Sequence, residues 1–274
     1  MTFEDLFPHI RPWVVNLGNV APGSFVKPQF AIWEILHILS LVVLGGSAIL
    51  LNLRLIGAGI TDEPPSEVRR NLWPWLNAGV IGIVVTGLLI GTANAERLYD
   101  SNAFTVKMAA LLAGIVFTYG VSGPIAKAEG AVSAGAKIGL VAGLTVWLFG
   151  LWVFATSALI NPGVFHVLTA AALVVLFVAR GRLRFVYLIG LLALIAAQFV
   201  ATHLLVRPDD YAALTPVNKA FAAVFAAWIL GAALVQLFRA EGGQPGGRLA
   251  RLAGYAGILV WVTAAAAGRW IAFA

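Results

Sequence analysis

The chain has 274 residues, 61% of them hydrophobic and only 11% charged, with a mean hydropathy of +0.92; soluble domains carry roughly 25% charged residues, so a fold stable in water is excluded. Its net charge of +6 is spread over short loops rather than gathered in one patch, which argues against a nucleic-acid partner and for membrane topology. Cysteine is absent, which removes disulfides, thiolate metal sites, iron–sulfur clusters and covalently attached c-type haem.

The first residues carry Glu4 and Asp5 where a secretory leader would be basic, so residues 1–29 read as mature sequence. Phe3, Leu6, Phe7, Ile10, Trp13, Val14 and Leu17 recur at helical spacing, and Thr2 with Asp5 is placed as a capping box. This predicts an amphipathic segment lying in the membrane interface, broken into short pieces by Pro8 and Pro12.

Apolar stretches then follow one another, each long enough to cross about 30 Å of hydrocarbon as a helix. They predict spans over 30–53, 73–95, 104–123, 137–160, 163–180, 183–206, 217–238 and 251–273. The fold class is therefore an all-α polytopic membrane helix bundle of about eight helices, its natural environment the lipid bilayer. Most Lys and Arg lie in loops after odd-numbered spans, among them Arg54, Arg69, Arg70, Lys127, Arg180 and Arg182. By the positive-inside rule that side is cytoplasmic and both termini are outside, the membrane being a bacterial inner membrane.

Three pairs of stretches recur in the same order: Leu36-His37-Ile38-Leu39-Ser40 with Phe165-His166-Val167-Leu168-Thr169, Tyr99 and Lys107 with Tyr211 and Lys219, and Ala142 to Trp147 with Ala256 to Trp261. They predict two parallel four-helix units, 30–160 and 161–274, after the interfacial segment.

An ionisable group inside hydrocarbon needs a partner or a function. Seven fall within the spans: Glu34, His37, Lys107, His166, His203, Lys219 and Arg269, all near the outer face. Glu34 and His37 are three apart and share a helix face, so the carboxylate is placed to orient the imidazole. His37, His166 and His203 at one depth can supply axial ligands to a b-type haem, with Lys107, Lys219 and Arg269 available to its propionates. The same histidines can equally be hydrogen-bonding core residues, and the three cations can be interfacial side chains reaching for headgroups. A zinc site from Glu34, His37 and one further histidine is formally open. Gly45-Gly46 and the Gly87 to Gly91 spacing suggest close helix contact.

Trp33-Glu34-Ile35-Leu36-His37, Gly45-Gly46-Ser47, Asn52 to Gly57, Leu72-Trp73-Pro74-Trp75, Thr86-Gly87, Asn102 to Lys107 and the closing Gly268 to Phe273 together resemble an uncharacterised family of bacterial membrane proteins. That family is itself similar to the CopD-type copper-resistance proteins and the HemJ-type protoporphyrinogen oxidases. The resemblance implies a helical unit with a functional histidine in its first helix and a lysine opening its third, here His37 and Lys107. In the HemJ-type relatives these positions are associated with haem or porphyrin handling.

The functional expectation is a membrane subunit that binds haem b and moves electrons near the outer face, with a redox partner or a larger membrane complex around it. The alternatives are a small-solute or metal transporter and a cofactor-free anchor subunit.

Overall fold

The computed structural model describes residues 1–156, 163–207, 209–239 and 247–273, the side chains of 239 and 273 excepted. Every regular element among them is helical. The N-terminal segment forms the capped turn Phe3–Leu6, the 3₁₀ turn Pro8–Ile10 and the helix Arg11–Leu17, so it breaks before Pro8 as expected, whereas Pro12 is taken into the first turn of the last piece.

The long helices are α1 (Phe30–Ile56), α2 (Pro65–Ala93), α3 (Asn102–Ile115), α4 (Ala134–Thr156), α5 (Gly163–Val178), α6 (Gly181–Val200), α7 (Tyr211–Arg239) and α8 (Gly247–Trp270). α3 runs on through a π-helical stretch, Val116–Ser122, into Gly123–Lys127, and α6 through a second one, Ala201–Leu205. Seven of these helical stretches are long and apolar enough to cross a membrane, and α5, with 16 residues, is the shorter eighth. At 1.5 Å per residue α5 extends about 24 Å, short of a full hydrocarbon core. The chain is a multi-pass helix bundle suited to a bilayer.

α1 stops where Gly57 takes the left-handed conformation (φ 84°) and its N–H bonds the Arg54 carbonyl, a conformation that other residues adopt only with strain. α2 starts eight residues before the expected 73, with Pro65 in its first turn, where a missing N–H costs nothing. Glu67, Arg69 and Arg70 made this turn look like loop to hydropathy, but it is helix that projects beyond the apolar span, and Pro74 is carried inside it. Punctuation at Asn161-Pro162, at Pro208 and between Gly242 and Gly246 lies outside the described residues.

The bundle is unevenly built. In α8 two-thirds of the apolar window (67%) is buried by protein, against 11% for Tyr211–Phe238 and 6% for Gly181–Leu205. α8 packs chiefly on α1 and α3, and the main core runs from Leu44, Leu51 and Leu76 through Ala110 and Phe117 to Ala256, Val260 and Trp261. A second cluster joins α5, α6 and α7 to α8 around Val175, Tyr187, Phe225 and Ile258. The expected repeat assigns the last span to the second unit, yet this helix is the centre of the first half's packing.

One pair of the repeated stretches makes matching bonds. Trp147 Nε1 donates to Thr263 Oγ1 at 2.9 Å, and Trp261 Nε1 donates to Thr118 Oγ1 at 3.3 Å.

Small residues set the helix spacing, and of the expected ones Gly87 takes part, lying against His37, while Gly45-Gly46 does not. A Cβ at Gly45 or Gly46 would meet nothing within 4 Å, so this pair makes no close contact. The tight approach is opposite them on α2, where a Cβ at Gly79 would lie 2.7 Å from the Leu44 backbone and one at Gly82 2.4 Å from Ser40 Oγ. In α8, Gly254 and Gly257 lie against Asn52, whose Oδ1 accepts from Ser122 Oγ at 2.7 Å while its Nδ2 donates to the Ala48 carbonyl.

Candidate functional site

The strongest polar constellation inside the bundle is built on His37. Its helix, α1, faces outward on most residues near this depth: Ile35, Leu36, Ile38 and Leu39 are all exposed, and His37 alone among them is buried. The ring therefore enters the bundle between α2 and α3. Gly87 on α2 makes room for it, since a Cβ there would stand 3.2 Å from His37 Cε1.

Both ring nitrogens are engaged. Nδ1 is 2.8 Å from Thr86 Oγ1, and Lys107 Nζ donates to Nε2 at 3.1 Å. The Thr86 hydroxyl has one proton, and it goes to the Gly82 carbonyl at 2.6 Å, one turn back along α2. Thr86 must then accept from His37, which puts the imidazole proton on Nδ1 and leaves the lone pair on Nε2. The result is a directed chain: Lys107 ammonium to His37, His37 to Thr86, Thr86 to the α2 backbone. A histidine that donates one nitrogen to a fixed acceptor and aims the other at a ligand is how proteins prepare an imidazole for a metal or a proton.

Lys107 reaches the ring from the first turns of α3, whose start is fixed by Ser101 accepting from the Phe104 N–H. Its stem lies along Gly268 of α8, 3.7 Å from where a Cβ would be. Trp33, one turn before His37 and on the same helix face, has a buried indole N–H with no acceptor among the described residues. The site thus presents donors and one cation, and the acidic residue expected beside it does not join. Glu34 is exposed on α1, and His37 has Thr86 where Glu34 was expected.

The N-terminal segment covers this end of the bundle. Phe3 packs on Phe104 with ring centroids 5.2 Å apart, and Tyr99 donates from its hydroxyl to the Phe7 carbonyl at 2.5 Å. Arg11 bridges Glu4 at 2.5 Å and Asp100 at 3.1 Å, and those two carboxylates hold its guanidinium above its ordinary range. Trp13, Val20 and Phe25 point outward at 52% to 65% exposure, consistent with a segment resting in an interface.

Residues 25–163, half of the chain, match a family described as a family of unknown function, DUF6644. The chain belongs to that family. No curated protein and no solved structure matches it. The DUF6644 stretch contains Trp33, His37, Thr86 and Lys107, while α8, which supplies the Gly268 wall, lies beyond it.

The other expected site residues lie apart from this chain of bonds. His166 is exposed at the start of α5, its ring 6.1 Å from that of Trp270 and nearly perpendicular to it. Gly268 and Trp270 are two residues apart on α8, hence on nearly opposite faces, so the end of this helix stands between Lys107 and His166. His203 is exposed in the π-helical end of α6, stacked on Phe199 at 4.5 Å with Nδ1 near Thr202 Oγ1. Lys219 and Arg269 are exposed as well. Among the described residues no group of three or more His, Asp or Glu is placed to hold a metal ion.

These positions decide how haem b fits. A pair of axial histidines drawn from His37, His166 and His203 does not fit, because α8 separates the first two and His203 faces outward. Of the three, His37 alone has its ring fixed inside the bundle: Thr86 holds Nδ1, and Nε2 accepts from Lys107 Nζ. Thr86 is the partner of His37 that sequence reasoning missed. Its signal was present in Thr86-Gly87 within the family-like stretch.

Proposed function

We propose that this DUF6644 protein is a haem-b-binding subunit of a bacterial inner membrane that passes electrons near the outer face, with His37 as its histidine ligand. The carrying observation is the bond chain Lys107–His37–Thr86–Gly82, which pins the imidazole and leaves its lone pair on the side where a cation waits. Haem would supply the one-electron chemistry; the protein supplies binding and tuning. Lys107 would give up Nε2 and pair with a propionate carboxylate, and the Trp33 N–H would offer a further donor. The test is the absorption spectrum of the full chain purified after expression with ample haem supply. A Soret band that His37→Ala abolishes, and that His166→Ala and His203→Ala leave in place, is the expected result. A colourless wild-type protein overturns the reading.

A second reading is an anchor subunit within a larger complex. It is favoured by the flanks of α6 and α7, where 6% and 11% of the spans are buried and Phe185, Ile189, Leu192 and Phe199 all face outward. Purification in mild detergent at native abundance distinguishes the two: a colourless chain that always elutes with stoichiometric partner subunits supports the anchor.

A further inference from the structure

Lys219 lines a cleft of about 570 Å³ between α4, α5 and α7, at the end of the bundle where α4 finishes and α5 and α7 begin. Its walls are apolar, with Leu148 and Trp152 from α4, Phe165 and Leu168 from α5 and Ala222 and Ala226 from α7. The polar groups, Thr215, Asn218 and Lys219, all come from the first turns of α7. The cleft is therefore itself amphipathic, with a long greasy trough under a short polar rim.

Lys219 has no ion-pair or hydrogen-bond partner among the described residues, although it opens a membrane helix. Asn218 Oδ1 accepts from Gln198 Nε2 at 3.4 Å, and its own amide N–H has no acceptor among the described residues. Thr215 spends its proton on the Tyr211 carbonyl. Among the described residues the rim thus offers one cation and one neutral donor, with no carboxylate lining it.

We propose that this cleft is a binding site for one anionic glycerophospholipid, an acyl chain lying in the trough and the headgroup phosphate on Lys219 and Asn218. Charge complementarity selects the lipid: a zwitterionic headgroup brings its own cation to the rim, whereas phosphatidylglycerol brings a net negative charge that Lys219 has nothing else to balance. Depth agrees, because Lys219 lies about 12 Å along α7 from Tyr211, within reach of the headgroup level for a lysine stem. The inference is independent of the haem reading, since it uses none of the residues around His37.

The test uses the full chain in phosphatidylcholine nanodiscs, doped with spin-labelled phosphatidylglycerol or spin-labelled phosphatidylcholine, and reads the motionally restricted fraction. One cation near the surface gives roughly fivefold preference for an anionic lipid. Wild type is expected to prefer phosphatidylglycerol by about that factor, Lys219→Gln to bring the ratio close to one, and Lys127→Gln, at the opposite end of the bundle, to leave it unchanged. Ala222→Trp, which fills the trough, is expected to reduce restriction of both lipids while circular dichroism and elution volume stay as in wild type. A preference that survives Lys219→Gln overturns the proposal. So does a dimer that Ala222→Trp dissociates with no lipid preference in any variant, because the trough would then be covered by a second copy.

Discussion

The two halves carry the same pair of residues into different surroundings. His37 and Lys107 meet at 3.1 Å inside the bundle, while their counterparts in the repeated stretches, His166 and Lys219, are both exposed, one beside Trp270 and the other on the rim of a cleft. The sequence pattern is alike and the surroundings differ. α8 closes over the first pair through Gly268, and Phe3 packs on Phe104 just above it. Among the described residues the second pair has less cover, with His166 beside Trp270 and with α6 and α7 at the periphery. A histidine and a lysine become a site only when a further helix excludes lipid and fixes their rotamers.

That contrast can be broken most decisively at the histidines. His37→Ala is expected to remove the Soret band completely, and His166→Ala to leave its intensity and position unchanged; equal loss from both would mean the two halves share one cofactor. Next in size is a pair of glycines. Gly79→Ala forces a Cβ to 2.7 Å from the Leu44 backbone and is expected to cost about 1–3 kcal/mol in detergent thermal melts. Gly231→Ala on peripheral α7 meets nothing within 4 Å and is expected to be neutral or slightly stabilising. Thr86→Val removes the acceptor of the His37 Nδ1–H and is expected to cost about 1 kcal/mol, with Thr86→Ser close to wild type. A melt unchanged by Thr86→Val would show that the ring is held by packing alone. The smallest effect belongs to Lys219→Gln, which is expected to leave both melting temperature and spectrum untouched, whereas Lys107→Gln shifts both.

Much of this architecture is legible in the sequence, because hydropathy and helix length report directly on what lipid accepts. The capping box of Thr2 and Asp5 and the break before Pro8 are local chemistry and appear as read, whereas Pro12 is taken into the first turn of Arg11–Leu17. Packing partners are a different kind of information. Gly45-Gly46 looks like a contact motif, yet it faces open space while Gly79 and Gly82 across the groove carry the close approach. The central place of α8 is similarly hidden, although its hydropathy of 1.5 is the lowest of the seven long spans and Ala253, Gly254, Gly257 and Ala264 give it a surface other helices can meet closely. Around His37 the nearest acid in sequence, Glu34, looks like the orienting group; the actual partners, Thr86 and Lys107, are 49 and 70 residues away. Short sequence separation favours candidates on the same helix, but a side chain that points inward meets its neighbours on other helices.

The position of α8 also has a consequence for how the protein is made. The family stretch ends at residue 163, yet its helices are assembled around a segment that starts at Gly247. During synthesis, at roughly 5–20 residues per second, the first four helices wait on the order of ten seconds in the membrane before their central packing partner arrives. Through that interval Asn52 keeps its bonds to Ser122 and to the Ala48 carbonyl without the α8 glycines that lie against it, and the wall at Lys107 is missing. A truncation before Gly247 would therefore meet the cell's membrane quality control as an unfinished bundle, and the surroundings of His37 and Lys107 are completed only in the last moments of biogenesis.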